Sequence, residues 1–261
     1  MENFNIKRVF LLMKKDLLEN FKTILLGYVS VIGVVLFLLL IDAQKVNAHL
    51  WLNFNQIFQM SITFVGIVIA GMAFTNFRTK ELTTSYLTLP ASNIEKTISQ
   101  IILVTFGTII SYTIVFYISH FLFIAIGNAF YTIEIGFFNP FDYENIQYIY
   151  RLIIAQSLFI AGASYFKKAP IFKTGAVVFI LWMVILGTFS YLVHFTLNNL
   201  PEYIGIRANL GLSTSDINYN SPNIIETSKL WSGQIFEFFL TYLLAPIFWT
   251  ITYFNVKEKE V

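Results

Sequence analysis

Residues Ile24–Ile41 read ILLGYVSVIGVVLFLLLI, an apolar run without a charged side chain. A bilayer core is about 30 Å thick, so a helix that crosses it needs roughly 20 apolar residues at about 1.5 Å each. This run falls in that range and reads as an uncleaved membrane span, because Met1–Lys22 before it is charged and amphipathic and no A-x-A-like cleavage site follows it. Five further stretches meet the same test: Ile57–Phe74, Ile98–Ile126, Ile149–Phe166, Thr174–Phe195 and Ile235–Phe254. The expected fold class is an all-α integral membrane protein with six transmembrane helices, forming a single domain over residues 1–261.

Composition agrees with that reading. The 261 residues are 56% hydrophobic and only 12% charged, whereas a soluble domain carries about 25% charged residues. A soluble fold with so few charges could not cover its surface. The net charge of +2 gives no global basic field for nucleic acid, and with no cysteine the chain has neither disulfides nor thiolate metal sites. Lysine and arginine are unevenly placed: Lys7, Arg8, Lys14, Lys15 and Lys22 precede the first span. Arg78, Lys80 and Lys96 follow the second, Lys167, Lys168 and Lys173 the fourth, and Lys257 and Lys259 the sixth. The alternate connections hold only Lys45, Arg151, Arg207 and Lys229. The positive-inside rule then predicts that both termini are cytoplasmic.

Two segments outside the spans have structure of their own. Within residues 1–22, Ile6, Phe10, Met13, Leu17 and Phe21 recur at helical spacing while Lys7, Lys14 and Lys15 fall off that stripe. The pattern suits an interfacial helix on anionic lipid; a plain helical extension of the first span is the alternative. The outer connection, residues 196–230, mixes turn residues with apolar patches (Ile204, Ile206, Leu210, Leu212). It is expected to form a re-entrant element before the sixth span, with a small external cap as the alternative.

The segment Phe77–Gln100, FRTKELTTSYLTLPASNIEKTISQ, is the most informative. Pro90 biases Leu89 away from helix, and Ser92 with Glu95 forms a capping box that starts the third span. Room remains between Phe77 and Leu89 for a short surface helix. This segment resembles the cytoplasmic loop of ABC-2-type transporter permeases. In that family an Arg or Lys-Glu stretch precedes a Gly-Thr pair, a Leu-rich turn, a Pro-x-Ser and a basic residue at the third span. Arg78, Glu81, Thr84, Leu87, Leu89, Pro90, Ser92, Glu95 and Lys96 match, and Thr83 stands where the family often has Gly. The resemblance covers the whole chain: an N-terminal interfacial helix, six spans, internal termini and an outer re-entrant element.

The resemblance implies a permease subunit of an ATP-driven exporter in a bacterial inner (cytoplasmic) membrane. The permease would be a homodimer or be paired with a related subunit, with membrane lipid around it. It implies that a separate ABC ATPase binds ATP and Mg and contacts the 75–97 loop, with Arg78, Lys80, Glu81, Thr84, Leu87, Leu89, Pro90, Ser92 and Glu95 as the coupling residues. No Gly-x-x-x-x-Gly-Lys-Ser/Thr occurs in the chain, so a cofactor-free transport subunit without enzyme activity of its own is expected. Rival readings are the substrate-capture subunit of an energy-coupled importer, a membrane-embedded lipid-processing enzyme and a secondary transporter. The enzyme would need convergent His, Asp or Glu at one depth, and the secondary transporter an internal repeat; neither pattern is present in the sequence. Polar residues inside spans are functional candidates by default; here they are Arg151, Gln156 and Glu237. Glu237 admits either substrate or proton coupling, or pairing with Arg151 or Lys229. His49, His120 and His194 read as packing or interfacial residues.

Overall fold

The computed structural model describes residues 4–46, 54–77, 79–130, 138–209 and 242–259. Among them the chain is helical throughout and has no strand. Arg78, Glu237 and the outer connection from 210 to 230 lie outside the described residues, as does the side chain of Leu87.

The helices are α1 (Ile6–Val46), α2 (Phe54–Met72), α3 (Lys80–Leu87), α4 (Asn93–Ile102), α5 (Thr108–Phe130), α6 (Tyr143–Tyr165), α7 (Pro170–Asn209) and α8 (Leu244–Glu258). A 3-10 turn, Thr75–Phe77, precedes α3, and a π-helical turn, Leu103–Gly107, joins α4 to α5. Five helical stretches are long and apolar enough to cross a membrane: Ile6–Ile41, Phe54–Phe77, Asn93–Ile126, Tyr143–Tyr165 and Pro170–Thr188. The chain is a multi-pass membrane protein. Of the sixth expected span, the described part begins at Tyr242; its ladder is irregular just before Pro246, where Tyr242 and Leu243 are π-helical.

Two expected boundaries differ from those observed. The N-terminal amphipathic segment is continuous with the first span, the alternative stated above: α1 runs unbroken for 41 residues. No proline or glycine stands at the joint around Lys22 to interrupt the ladder. Such a helix is about 60 Å long, twice a bilayer core, so part of it lies outside the hydrocarbon. Likewise, the helix that holds the fifth expected span does not stop near Phe195: the helical backbone of α7 continues through Pro201 to Asn209.

The chain divides into two compact units, residues Met1–Ile171 with Leu244–Val261, and residues Phe172–Leu243. The described part of the second unit consists of α7 from Phe172 onward and the residues just before α8. In the first unit α6 packs between α2 and α8, and α1 packs along α4 and α5. Its core has two apolar clusters. One gathers Val35, Leu39, Phe58, Ile62, Tyr112, Phe116 and Leu152; the other gathers Ala70, Phe74, Phe77, Tyr86, Val104, Ile160 and Val256. Small residues set the closest approaches. Gly66 of α2 faces α6, where a Cβ would stand 2.9 Å from Gln156 Nε2, and at Gly71 a Cβ would stand only 2.2 Å from Ile171 Cγ1. The small-residue face of the second span therefore meets a neighbour within the same chain.

Candidate coupling site

The chain leaves α2 through Phe74, whose φ of 56° is left-handed. That conformation costs a non-glycine residue about 1–2 kcal/mol. Its buried ring stacks on Phe77, 5.4 Å away and nearly parallel, which holds the turn closed. Thr79 then caps α3, its hydroxyl accepting from the Leu82 N–H at 3.4 Å. The helix is short and two-faced. Lys80, Glu81, Leu82, Thr84 and Ser85 are exposed, whereas Tyr86 is buried against Phe77. Burial raises the Tyr86 phenol above its ordinary range, and the charge of Asp16 adds to the effect.

After α3 the Ala91 N–H donates to the Leu89 carbonyl at 2.7 Å across Pro90, a tight turn. The expected capping box is formed: Ser92 Oγ accepts from the Glu95 N–H at 3.3 Å, and Glu95 Oε2 accepts from the Ser92 N–H at 2.9 Å. Glu95 does more than close a helix end. It is fully buried, its Oε1 accepts from the Asn5 N–H at 2.6 Å, and Arg8 Nη1 stands 4.0 Å from Oε2. One carboxylate thus joins the turn before α4 to the start of α1. About one and a half turns further on, Gln100 Nε2 donates to Asp16 Oδ2, a second buried tie between α4 and α1. Lys96 is buried beside this pair of ties, with Nζ 5.9 Å from the Tyr86 ring centroid.

The ends of α6 and α8 reach the same place. Lys259 Nζ lies 4.0 Å from the Phe77 ring centroid and donates to the Ser164 carbonyl at 2.5 Å, and Asn255 Nδ2 donates to Ser164 Oγ at 2.9 Å. Burial, helped by the charge of Lys167, pushes the Lys259 ammonium down to about 8. Arg8, Lys96, Lys167 and Lys259, one from each segment rich in lysine and arginine, therefore gather at one end of the first unit. The opposite end is held by neutral amides: Asn145 Nδ2 donates to Asn55 Oδ1, and Gln59 Nε2 to Asn145 Oδ1, both at 3.1 Å.

The sequence-predicted residues thus separate into two groups. Lys80, Glu81, Thr84 and Pro90 present an outward face, while Leu89 packs on the second apolar cluster and Ser92 and Glu95 join the start of α4 to the start of α1. Arg151 is exposed on α6, and its expected pairing with Glu237 lies outside the described residues. Gln156 is fully buried against Gly66. His120 is a buried packing residue, edge-on to Phe54 at 4.8 Å. Asn5, Arg8, Asp16 and Gln100 are site residues that the sequence reading did not select. A signal for Asp16 was available: it follows Val9 and Leu12 at helical spacing, and these three are the buried face of the N-terminal part of α1. The stripe of Ile6, Phe10, Leu17 and Phe21 is exposed instead.

Comparison of the chain with family models, curated proteins and solved structures finds no match.

Proposed function

We propose that the chain is the permease subunit of an ATP-driven exporter of the ABC-2 type, driven by a separate ATPase that docks on the outward face of α3. The observation that carries this reading is the two-faced elbow. An exposed, capped helix stands between two membrane helices; its inward Tyr86 packs on Phe77 at the end of the second span, and the turn that follows it is tied through Glu95 to the start of α1. A push on Lys80, Glu81 or Thr84 would reach α2, α4 and α1 together. Buried hydrogen bonds make such a link stiff, since an unmade bond to a buried carboxylate is costly. The reading places both termini and the elbow in the cytoplasm, in line with the lysine and arginine placement. In this mechanism the chain makes and breaks no covalent bond; it changes the packing of its spans when the partner closes on ATP.

The test is reconstitution. The purified chain alone should hydrolyse no ATP, and a complex with the ATPase should do so in membranes. Glu81→Lys changes an exposed charge and should lower coupled hydrolysis and transport severalfold with an unchanged melting temperature, because surface charges are worth under about 1 kcal/mol. ATP hydrolysis by the chain alone, free of contaminants, would refute the proposal.

A further inference from the structure

Between the two apolar clusters of the first unit lies a polar layer that the coupling role leaves unused. Gln156 of α6 is fully buried between Leu152 and Ile160, which belong to different clusters. Neither its Nε2 nor its Oε1 has a hydrogen-bond partner among the described residues. The space for its amide exists because α2 has Gly66 there: a Cβ would stand 2.9 Å from Nε2 and 3.0 Å from Leu152 Cδ1. The π-helical turn Leu103–Gly107 packs against both α2 and α6, and its Thr105 hydroxyl is likewise buried without a partner. Mid-span backbone of this kind departs from the α ladder where a helix serves as a hinge or lines a site. In hydrocarbon an amide with both ends unsatisfied is strongly disfavoured, so the closed packing leaves a recognition group idle.

We infer that Gln156, opposite Gly66 where α2 and α6 meet, is a closed polar site. It opens to water when α2 and α6 part, and it takes a neutral solute or group that offers both a hydrogen-bond donor and an acceptor. The amide can donate twice and accept at its oxygen, and Gly66 across the helix contact and Leu152 one turn away are both uncharged. A charged ligand would find no counter-ion there. The inference does not depend on the exporter reading, because its readout is chemical access alone.

The chain contains no cysteine, so access can be measured on the full-length protein in membranes. Leu152→Cys places a thiol one turn from Gln156 and against Gly66, with the amide kept. The double variant Leu152→Cys/Gln156→Leu lacks the amide. The probe is iodoacetamide, whose own amide carries a donor and an acceptor, and iodoacetate is its anionic counterpart. Both rates are normalised to Thr88→Cys on the exposed turn after α3. The site predicts alkylation of Leu152→Cys by iodoacetamide at least about tenfold faster with Gln156 than with Gln156→Leu, and a normalised iodoacetate rate at least about tenfold below that of iodoacetamide, since a charge without a counter-ion is excluded. Equal iodoacetamide rates with and without Gln156 would overturn the site; equal normalised rates for the two reagents would overturn its neutral preference. Should a cysteine variant fail to fold, Gln156→Met provides a second measurement. It keeps the length and removes the idle amide, so the melting temperature rises if the amide is unpaired and falls if Gln156 has partners, and a fall would overturn the site.

Discussion

At the scale of single residues, Glu95 carries most of the argument. Its carboxylate accepts from two backbone N–H groups, those of Ser92 and Asn5, while Arg8 stands 4.0 Å away with its side chain partly in solvent. Backbone bonds to a buried charge should therefore outweigh the ion pair. We predict that Glu95→Ala destabilises by about 2 kcal/mol, because it leaves two part-buried backbone donors without their charged acceptor. Arg8→Ala should lose under about 1 kcal/mol, and Ser92→Ala about 1 kcal/mol as the loss of a cap. Thermal unfolding in detergent ranks the three; an Arg8→Ala loss as large as that of Glu95→Ala would mean that the charge pair is the real tie. The capping box was legible in the sequence because Ser92 and Glu95 are three residues apart. The bond from Asn5 was not, since it joins positions 90 residues apart and no local pattern encodes it. The tie between Asp16 and Gln100 was hidden for the same reason.

At the scale of elements, helix contacts are decided by where glycine is needed and where it is incidental. Gly71 lies where a Cβ would stand 2.2 Å from Ile171 Cγ1, whereas at Gly27 of α1 a Cβ would meet nothing within 4 Å. Gly71→Ala should destabilise by about 1–3 kcal/mol through overpacking, and Gly27→Ala should stabilise by about 0.5–1 kcal/mol through helix propensity. Melting curves of the two variants should move in opposite directions. In a double-mutant cycle, Gly71→Ala with Ile171→Ala should be less destabilised than the sum of the single changes; strict additivity would contradict the close contact. Helix periodicity located the apolar stripe of α1 but not the use of each face. In water the apolar stripe would be buried. In a membrane helix lipid is as apolar as leucine, so Ile6, Phe10, Leu17 and Phe21 stay exposed while Val9, Leu12 and Asp16 pack inward. The extension of α7 was missed, and the continuity of α1 stood only as the alternative, because changes in hydropathy mark where the environment changes, not where a helix ends.

At the scale of the whole molecule, five membrane-length helices were legible from apolar run length alone. Lysine and arginine placement predicts their orientation, and the gathering of the predicted inner segments at one end of the first unit is in keeping with it. Cysteines at Ser85 and at Asp216 should label from opposite sides of sealed membranes with an impermeant maleimide; labelling of both from outside would refute the six-span topology. The central claim, that α3 is a docking point for an ATPase, is tested most directly by cross-linking. Ser85→Cys on the exposed face of α3 and Phe64→Cys on the exposed apolar face of α2 can each be modified with a photoactivatable maleimide in native membranes. The account predicts that light attaches Ser85, and not Phe64, to a polypeptide carrying the Gly-x-x-x-x-Gly-Lys-Ser/Thr phosphate loop that this chain lacks. If the ATPase is absent from the Ser85 adducts, or appears equally with Phe64, the elbow is only a connection between two spans.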